Sequence, residues 1–493
     1  MFAGALGVFV RTLAPSIAWK NHAADSGDLV AAAYTGGIPH PPGYPLYTAL
    51  AQLFVLLPVD GIAYRVNLLS ALAAAATVLV LYAIIRLVLP ADSRYPRGVS
   101  VVAALWFAFS PMFWSQATVA EVYALNALLT ALGLLGLLLW SGEGTGLGES
   151  WRTRGRWIFA AALGLGLAHH LTILFLVPAA GILLWRRVSA RAILATAAFA
   201  LGLAGLLAFS LVLRAWRDPP ISWGDPKTLE NWWWLVSGQL YRGYAFGLGW
   251  AEYPARVSAW ARLLFEQFNP VGVALGLWGG LQLVQRSARA GVALGVTMAV
   301  YSVFAIGYRS FDSDVYLIPA FLCFAPAIAA GMASVVQAAR GRAAFALFLI
   351  LLPLANLALN FAAMDRSADT QARDYGRRVF DTIPENALVV ADGDEHIFAL
   401  WHSRYVERTD SQVMIVAPGL LSYAWYRDQL RRHNPDWVWP ADSELAWDQF
   451  LRALVARNLD RHAVFWTAPD PQFERLFRFR AVDALYQVVA AGE

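Results

Sequence analysis

The stretch DSGDLVAAAYTGGIPHPPGYP, residues 25–45, follows the first hydrophobic segment and is the most informative part of the chain. It carries two carboxylates, Asp25 and Asp28, and a histidine, His40, which begins a run rich in proline. The surrounding sequence is mostly apolar, so these polar groups stand just outside a membrane span. Ionisable residues in such a position indicate a site for chemistry rather than a packed core.

The composition of the 493-residue chain is that of a polytopic membrane protein. Hydrophobic residues make up 58% of it and charged residues only 15%, whereas a soluble domain carries about 25% charged residues. The net charge of +4 is too small to indicate binding of nucleic acid. The single cysteine, Cys323, lies in an apolar run, which excludes a structural disulfide within the chain.

The hydrophobic pattern predicts an α-helical membrane protein with about eleven transmembrane helices, since each span needs roughly 20 apolar residues. The apolar segment Leu46–Leu57 is shorter than a span, and we interpret it as a helix lying in the membrane interface. The predicted spans are 2–19, 66–89, 99–115, 122–140, 157–168, 171–185, 192–214, 271–285, 291–307, 316–337 and 343–362.

Arginines in the short loops predict the orientation in the cell membrane, because cytoplasmic loops carry the excess of positive charge. The segments 157–168 and 171–185 have arginines on both outer flanks, so both flanks are predicted to be cytoplasmic. This orientation places the N-terminus inside and the C-terminal region outside. It also gathers several ionisable residues on the external face: Asp25, Asp28, His40, Glu121, His169, His170, Asp312 and Asp314.

The pattern divides the chain into two predicted domains. Residues 1–362 form a transmembrane domain, with the candidate catalytic acid in an external loop at 20–65 and an external aromatic loop at 215–270. Residues 363–493 are less hydrophobic and predict a soluble, extracytoplasmic α/β domain. Its predicted elements are strands at 387–391, 412–417 and 463–467, and helices at 371–382, 395–404 and 420–433.

Asp25 and Asp28 are the candidate catalytic residues. They are three positions apart, so on a helical turn they share one face. A carboxylate at a membrane surface can accept the proton of an attacking hydroxyl or hold a divalent metal. The alternative is an ordinary solvated loop, but nearby His40 and the rigid prolines that follow it favour a fixed one.

His40 and Glu121 have both a functional and a structural interpretation. The run His40–Pro45 restricts three backbone φ angles and could aim His40 at a phosphate. It could equally steer the chain into the interfacial helix. Glu121 precedes a predicted span, where a carboxylate could act in the site or stabilise the positive end of the helix dipole.

Further polar residues are candidates for binding a phosphate or a polar headgroup. His169 and His170 end a short apolar segment, although adjacent residues on a helix point apart and cannot easily share one metal. Arg65 breaks the charge pattern of the external face, so it could pair with an anion or extend to lipid headgroups. The segment Arg309–Asp314 could contribute to the site or form a solvated turn.

Four motifs occur in a fixed order, namely DSGD at 25–28, GIPHPPGYPL at 37–46, RVNLLS at 65–70 and AEVYALN at 120–126. This order resembles bacterial membrane proteins related to protein O-mannosyltransferases, within the glycosyltransferase C (GT-C) superfamily. The resemblance implies a GT-C-like fold and a transferase, a mannosyltransferase of protein glycosylation, that uses a polyprenyl-phosphate-linked sugar. Asp25 matches the catalytic aspartate of the first external loop. Asp28 stands where relatives usually have Glu, which leaves open which of the two is the base.

The resulting hypothesis is an inverting transfer of a sugar to an acceptor hydroxyl on the external face of the membrane. The expected partners are the lipid-linked sugar, a protein or glycan acceptor and membrane lipid. A divalent metal is compatible with the reaction but not required, since the leaving group would be a single phosphate. Besides the two aspartates, the candidates are His40, Arg65, His169, His170 and Arg309 for the donor phosphate, and Glu121, Tyr44, Tyr123, Asp312 and Asp314 as acceptor-binding or supporting residues.

Two other classes of function compete with a transferase. A lipid or polysaccharide transporter or flippase would place ionisable residues near the middle of the membrane, often in repeated halves. Here the polar residues lie at one edge, and the sequence shows no internal repeat. A non-catalytic membrane anchor that displays the C-terminal domain would tolerate Asp25→Asn without effect, whereas a transferase would not.

Overall fold

The computed structural model describes residues 1–89, 93–143, 148–339, 343–441 and 445–489. Up to residue 364, these residues form a bundle of helices joined by short turns. The helices are α1 Phe2–Arg11, α2 Ser26–Thr35, α3 Pro45–Val55, α4 Ile62–Val88, α5 Pro96–Ala108, α6 Pro111–Gln116, α7 Tyr123–Ser141, α8 Glu149–Leu167, α9 Val177–Leu184, α10 Ala190–Ala215, α11 Leu229–Val236, α12 Tyr253–Arg286, α13 Ala288–Gly307, α14 Ile318–Ala338 and α15 Ala343–Met364.

Helix is present in every apolar segment that the sequence predicts to be a span. Within the described residues, five helices are long and apolar enough to cross a membrane by length and composition: 62–88, 123–141, 190–215, 288–307 and 313–338. The 313–338 segment lies at the centre of the bundle, with 94% of its apolar window buried, whereas α10 is peripheral, with 11% buried. The count of about eleven spans therefore remains a prediction.

The first predicted span, 2–19, is wrong as a single helix. Helix α1 ends at Arg11, and the following residues are buried without helical structure. Pro15 lacks a backbone N–H and disfavours helix at the preceding residue, which explains why the helix does not continue. The Asn67 side chain of α4 instead donates hydrogen bonds to the carbonyl oxygens of Ala14 and Ser16.

The long helix α12 combines the end of the predicted aromatic loop 215–270 with the predicted span 271–285, and it is broken between them. Asn269 has a φ of 48° and a ψ of 174°, outside the helical region. The residue before a proline is pushed toward extended backbone, and Pro270 follows. The Asn269 side chain then accepts a hydrogen bond from the backbone N–H of Val271 at 2.9 Å, which caps the second half of the helix.

The C-terminal segment forms an α/β structure, as the sequence predicts. The elements are β1 Leu388–Val390, β2 Met414–Val416, β3 Val464–Trp466, β4 Arg478–Val482, β5 Leu485–Val489, α16 Gln371–Thr382, α17 Asp394–His402, α18 Ala424–His433, α19 Trp447–Asn458 and α20 Pro471–Glu474. The five strands lie in the order β2-β1-β3-β5-β4, with β1 parallel to β2 and β3 and with β5 antiparallel to its neighbours. The elements α19, α20, β4 and β5 were not predicted from the sequence.

The C-terminal segment contacts the polar stretch of the first loop directly. That stretch is a buried helix, α2, rather than a loop, and α17 packs against it. The approach is so close that a Cβ atom at Gly27 would lie 2.2 Å from the backbone oxygen of Phe398. Glycine at this position therefore permits the contact that brings α17 beside Asp25 and Asp28.

Candidate active site

A cavity of about 1430 Å³ opens where the loops of the bundle meet the C-terminal segment. Its walls come from the residues before α2, the run after His40, the segment between α8 and α9, the loop after α13 and the turn before α17. The predicted site residues that line it are Asp25, His40, Tyr44, Tyr123, His170, Arg309, Asp312 and Asp314. The fold thus brings together candidates that are far apart in the sequence.

Asp28 holds His40 in place from behind the cavity wall. Asp28 lies in the first turn of α2 and is 0% exposed. Its Oδ2 accepts a hydrogen bond from the backbone N–H of His40 at 2.9 Å and lies 2.8 Å from His40 Nδ1. Its Oδ1 accepts a hydrogen bond from Trp223 Nε1 at 3.2 Å. This buried carboxylate is therefore fully engaged and has no access to a substrate.

Asp25 completes a row of three ionisable groups and is the one that reaches the cavity. His40 Nε2 lies 3.5 Å from Asp25 Oδ2, and 34% of the Asp25 side chain is exposed. The order is therefore Asp28, His40, Asp25, from the interior to the cavity. The sequence leaves open which aspartate is the base, and of the two only Asp25 lines the cavity, so the geometry favours Asp25.

The electrostatics of this row suit a proton acceptor. Burial raises the pKa of Asp25 to about 6, even though the neighbouring His40 opposes the rise. Burial disfavours the charged form of His40, but Asp25 and the hydrogen bond with Asp28 outweigh it and raise the pKa of His40 to about 9. At pH 7 Asp25 is mostly ionised and His40 is protonated. A carboxylate with a pKa near the working pH is well matched to general base catalysis.

Several cationic or donor groups face the same cavity. The side chains of Lys20, Arg242 and Arg309 line it and are exposed, and no ion pair involves them within the described ranges. His170 Nδ1 lies 2.8 Å from Thr172 Oγ1, and Nε2 has no hydrogen-bond partner in the part of the chain that the structure describes. These groups could bind an anion, because arginine, lysine and imidazole N–H groups are good phosphate donors.

The cavity also has aromatic and acidic walls. Tyr123 Oη lies 3.5 Å from Asp312 Oδ2, and its ring packs edge-on against Tyr316 at 5.8 Å. Asp314 Oδ1 lies 3.6 Å from His22 Nε2, and this nearby carboxylate raises the pKa of that histidine. Asp312 and Asp314 are therefore parts of a polar network at the cavity and not of a free solvated turn.

Besides Asp28, three predicted site residues do not line the cavity: Arg65, His169 and Glu121. The guanidinium of Arg65 donates hydrogen bonds to the carbonyl oxygens of Val55, Val59 and Asp60, so it joins α3 to α4 away from the cavity. His169 is buried, with Nε2 2.9 Å from the Val122 carbonyl oxygen.

Glu121 is also buried, 2% exposed, behind the cavity wall. One of its carboxylate oxygens accepts a hydrogen bond from the Val122 N–H at 3.3 Å. This contact at the start of α7 agrees with the alternative in which Glu121 stabilises the beginning of the helix. The other oxygen has no hydrogen-bond partner among the described residues. Glu121 therefore supports the wall and is not placed to contact an acceptor directly.

Other residues of the site were not predicted from the sequence. Lys20 and His22, directly before the quoted stretch, line the cavity, and Trp223 of the aromatic loop donates a hydrogen bond to Asp28 behind the wall. The turn Asp392–His396 follows β1, and the carboxyl ends of parallel strands are common places for functional groups. That signal was available, but only the tertiary contact of α17 with α2 reveals that the turn reaches this cavity. No cluster of three or more metal-ligating side chains occurs in the described part of the chain.

Comparison with known proteins identifies relatives of the chain. The model described as "Protein O-mannosyl-transferase TMEM260 N-terminal domain" matches residues 25–193, and "TMEM260-associated domain 2" matches residues 372–456. The mouse protein O-mannosyl-transferase TMEM260 is 28% identical over 480 residues, which cover 90% of this chain and 65% of the mouse protein. The Dictyostelium discoideum protein is 24% identical over 500 residues, which cover 87% and 58%. The chain thus spans less than two thirds of the length of either relative.

Two solved structures share the fold. ArnT from Cupriavidus metallidurans bound to undecaprenyl phosphate superposes with a TM-score of 0.63 at 12% identity, covering 99% of this chain and 97% of ArnT. ArnT in the apo state gives a TM-score of 0.60 at 11% identity, covering 99% and 96%. The fold is therefore that of the GT-C glycosyltransferases, in a multi-pass membrane protein. In sequence, the chain is similar to the proteins named protein O-mannosyl-transferase TMEM260, in agreement with the resemblance of its motifs.

Proposed function

We propose that this protein is an integral-membrane glycosyltransferase that moves a sugar from a polyprenyl-phosphate donor to an acceptor hydroxyl. The observation that carries the proposal is the position of Asp25, a carboxylate on the wall of a large cavity with His40 and Asp28 behind it. The relatives named protein O-mannosyl-transferase support this reaction class and suggest mannose as the sugar.

In the proposed reaction, Asp25 accepts the proton of the acceptor hydroxyl while the hydroxyl oxygen attacks C1 of the sugar. The bond between C1 and the phosphate oxygen breaks, and its electron pair leaves with the polyprenyl phosphate. One displacement of this kind inverts the configuration at C1. Protonated His40 lies beside Asp25 and keeps its carboxylate ionised and oriented before the attack.

The donor phosphate would be held by Arg309 and His170, with Lys20 and Arg242 on the same cavity. Burial lowers the pKa of His170 to about 3, so its neutral imidazole would act as an N–H donor beside the positive charge of Arg309. Cationic groups and hydrogen-bond donors aimed at the leaving phosphate stabilise the charge that develops in the transition state. Leu174 and Phe175 supply apolar lining beside His170, which suits the first isoprene units of the lipid. The ArnT structure with bound undecaprenyl phosphate supports a lipid-linked donor through the shared fold.

The acceptor would enter from the aqueous side, beside the C-terminal segment. We place the cavity on the extracytoplasmic face of the plasma membrane, with the N-terminus in the cytoplasm and residues 363–493 outside. The arginine distribution in the short loops supports this orientation. The turn Asp392–His396 contributes to the cavity and would contact a protein or glycan acceptor.

Transfer by the purified protein in liposomes tests this function. The donors would be polyprenyl-phosphate-linked mannose, other polyprenyl-phosphate sugars and, for comparison, nucleotide-linked sugars. We expect transfer from a lipid-linked donor only, with the anomeric configuration of the product opposite to that of the donor by NMR. Transfer from the nucleotide sugar alone, or a product of retained configuration, would contradict the proposal.

A further inference from the structure

The buried carboxylate of Asp28 receives a hydrogen bond from a residue that neither the motifs nor the family resemblance singles out. Trp223 belongs to the loop that follows α10, and it is 6% exposed. Its Nε1 is the donor to Asp28 Oδ1, at 3.2 Å, and no other donor contacts that oxygen among the described residues. Loss of this donor would leave a buried anionic oxygen without a partner, which is unfavourable.

Backbone pairing fixes the position of Trp223 relative to His40. The N–H of Ile38 donates to the Ile221 carbonyl oxygen at 2.9 Å, and the N–H of Trp223 donates to the Ile38 carbonyl oxygen at 3.2 Å. A short parallel bridge thus joins the loop to the chain two residues before His40. A Cβ at Gly37 would lie 2.4 Å from the Ile221 oxygen, so a larger side chain would disturb this pairing.

The C-terminal segment holds the same loop from the other side. Arg432 of α18 pairs with Asp218 at 2.9 Å and with Asp225 at 3.2 Å. Gln429 Nε2 donates to the Pro220 carbonyl oxygen at 3.0 Å. Trp223 is therefore fixed between the helix that carries Asp28 and the α/β segment.

We propose that Trp223 is a positioning residue for the transfer reaction, acting on Asp25 through Asp28 and His40. The inference rests on the proposed function, since Asp25 is taken as the base. Trp223 fixes the Asp28 carboxylate, Asp28 fixes and charges His40, and His40 in turn keeps Asp25 ionised. The loop after α10 is then a required part of the site.

Other groups also act on this row. Asp25, Asp28 and Asp394 favour the protonated form of His40, and the rings of Tyr44 and Tyr241 lie within 6.5 Å of its ring. Asp394 and Asp312 disfavour the ionised form of Asp25. Trp223→Phe leaves all of these groups in place. It removes the N–H donor together with part of a ring that also packs against His40, with 6.3 Å between the ring centroids.

Trp425 provides a matched control. Its ring lies 6.2 Å from that of Trp223 in the same aromatic cluster. Its Nε1 is buried and has no hydrogen-bond partner in the described part of the chain. Trp425→Phe therefore makes the same chemical change at a neighbouring indole without removing a hydrogen bond.

The experiment compares the two variants with the unmodified protein in detergent micelles. For Trp223→Phe we expect kcat to fall about tenfold, as for loss of a hydrogen bond to a charged group, with an unchanged KM for the donor. The acid limb of the pH profile of kcat should also move to higher pH. Without its tryptophan donor, Asp28 stabilises protonated His40 less, and His40 then stabilises ionised Asp25 less. Trp425→Phe should match the unmodified protein.

Histidine NMR titration of substrate-free protein separates this inference from the proposed function. The chain has 8 histidines, and the His40 signal is identified by its loss in His40→Gln. In Trp223→Phe, His40 should titrate at lower pH, and in Trp425→Phe it should not. Asp28→Asn removes the carboxylate charge beside His40 and should lower the His40 titration further, which shows that the signal reports this contact. If Trp223→Phe does not fold, Gly37→Ala, which disturbs the pairing that holds Trp223, provides the test. A His40 titration in Trp223→Phe equal to that of the unmodified protein would overturn the inference, whereas absence of transfer by the unmodified protein would overturn only the proposed function.

Discussion

Asp25 and Asp28 are chemically identical side chains in different surroundings. Asp28 is buried and accepts three hydrogen bonds, two from His40 and one from Trp223, whereas Asp25 lines the cavity. The shared helical face predicted from their spacing holds, since Asp25 precedes α2 and Asp28 lies in its first turn. The sequence could not assign the base, because the difference comes from burial by residues that are distant in the chain.

The pH dependence of transfer should reflect Asp25 and His40. Asp25 must be ionised to accept a proton, so activity should rise with pH through the pKa of Asp25, about 6. It should fall again as His40 loses its proton near a pKa of about 9, because Asp25 then loses its cationic neighbour. A profile of kcat against pH checks this expectation. A rate that stays constant from pH 5 to pH 8 would contradict the role of Asp25.

Arg309 and His170 should affect donor binding more than the fold. Each of the substitutions Arg309→Gln and His170→Gln removes a donor to the phosphate, so the KM for the lipid-linked donor should rise about 10-fold. Arg65→Gln is the contrasting variant, since Arg65 bonds to backbone carbonyl oxygens away from the cavity. It should lower the melting temperature and leave the KM unchanged. A raised KM with an unchanged melting temperature in Arg65→Gln would instead indicate that Arg65 binds the donor.

At the scale of the elements, the apolar segments predicted most of the helices, because long apolar runs in a membrane leave few alternatives to helix. Two errors have clear physical causes. Residues 2–19 do not form one helix because Pro15 interrupts it, and α2 was missed because its polar start suggested a loop. The glycine at 36, with a φ of 71°, ends α2 and was an available stop signal. In the C-terminal segment, β4 has mostly exposed residues, so it lacks the apolar pattern of a buried strand.

The close contact of α2 with α17 leads to a prediction on stability. Gly27→Ala would place a methyl group against the backbone of Phe398, and we expect a destabilisation of about 1–3 kcal/mol from overpacking. Thermal unfolding in detergent micelles measures this effect.

Gly7→Ala in α1 is the matched control, because nothing lies within 4 Å of a Cβ at that position. Alanine is the better helix former there, by about 0.5–1 kcal/mol. The control should therefore be neutral or slightly stabilising. If both variants unfold at the same temperature, α17 does not pack tightly on α2.

At the scale of the whole molecule, the site is a meeting point of segments separated by several hundred residues. The predicted orientation gathered Asp25, His40, His170 and Asp312 on one face, and the structure brings these four to one cavity. The turn Asp392–His396 could not be assigned to it from the sequence. The pattern of strands and helices in residues 363–493 does not predict which membrane loop this segment contacts.

The orientation of the cavity can be tested by labelling with a membrane-impermeant thiol reagent. The single native cysteine is removed by Cys323→Ser, and one cysteine is introduced by Phe311→Cys, at a side chain that is 94% exposed beside the cavity. We expect intact cells to be labelled at this position. Thr153→Cys, at the predicted cytoplasmic start of α8, should react only after the cells are permeabilised. The reverse pattern would place the cavity on the cytoplasmic side.

The rate of sugar transfer by Asp25→Asn tests the central claim most directly. An amide cannot accept the proton, so the rate in a single turnover should fall about 10²–10⁴-fold, while the lipid-linked donor still binds and the melting temperature is retained. Asp436→Asn, at an exposed acid outside the cavity, is the control and should transfer normally. Transfer by Asp25→Asn at the unmodified rate would show that Asp25 is not the base.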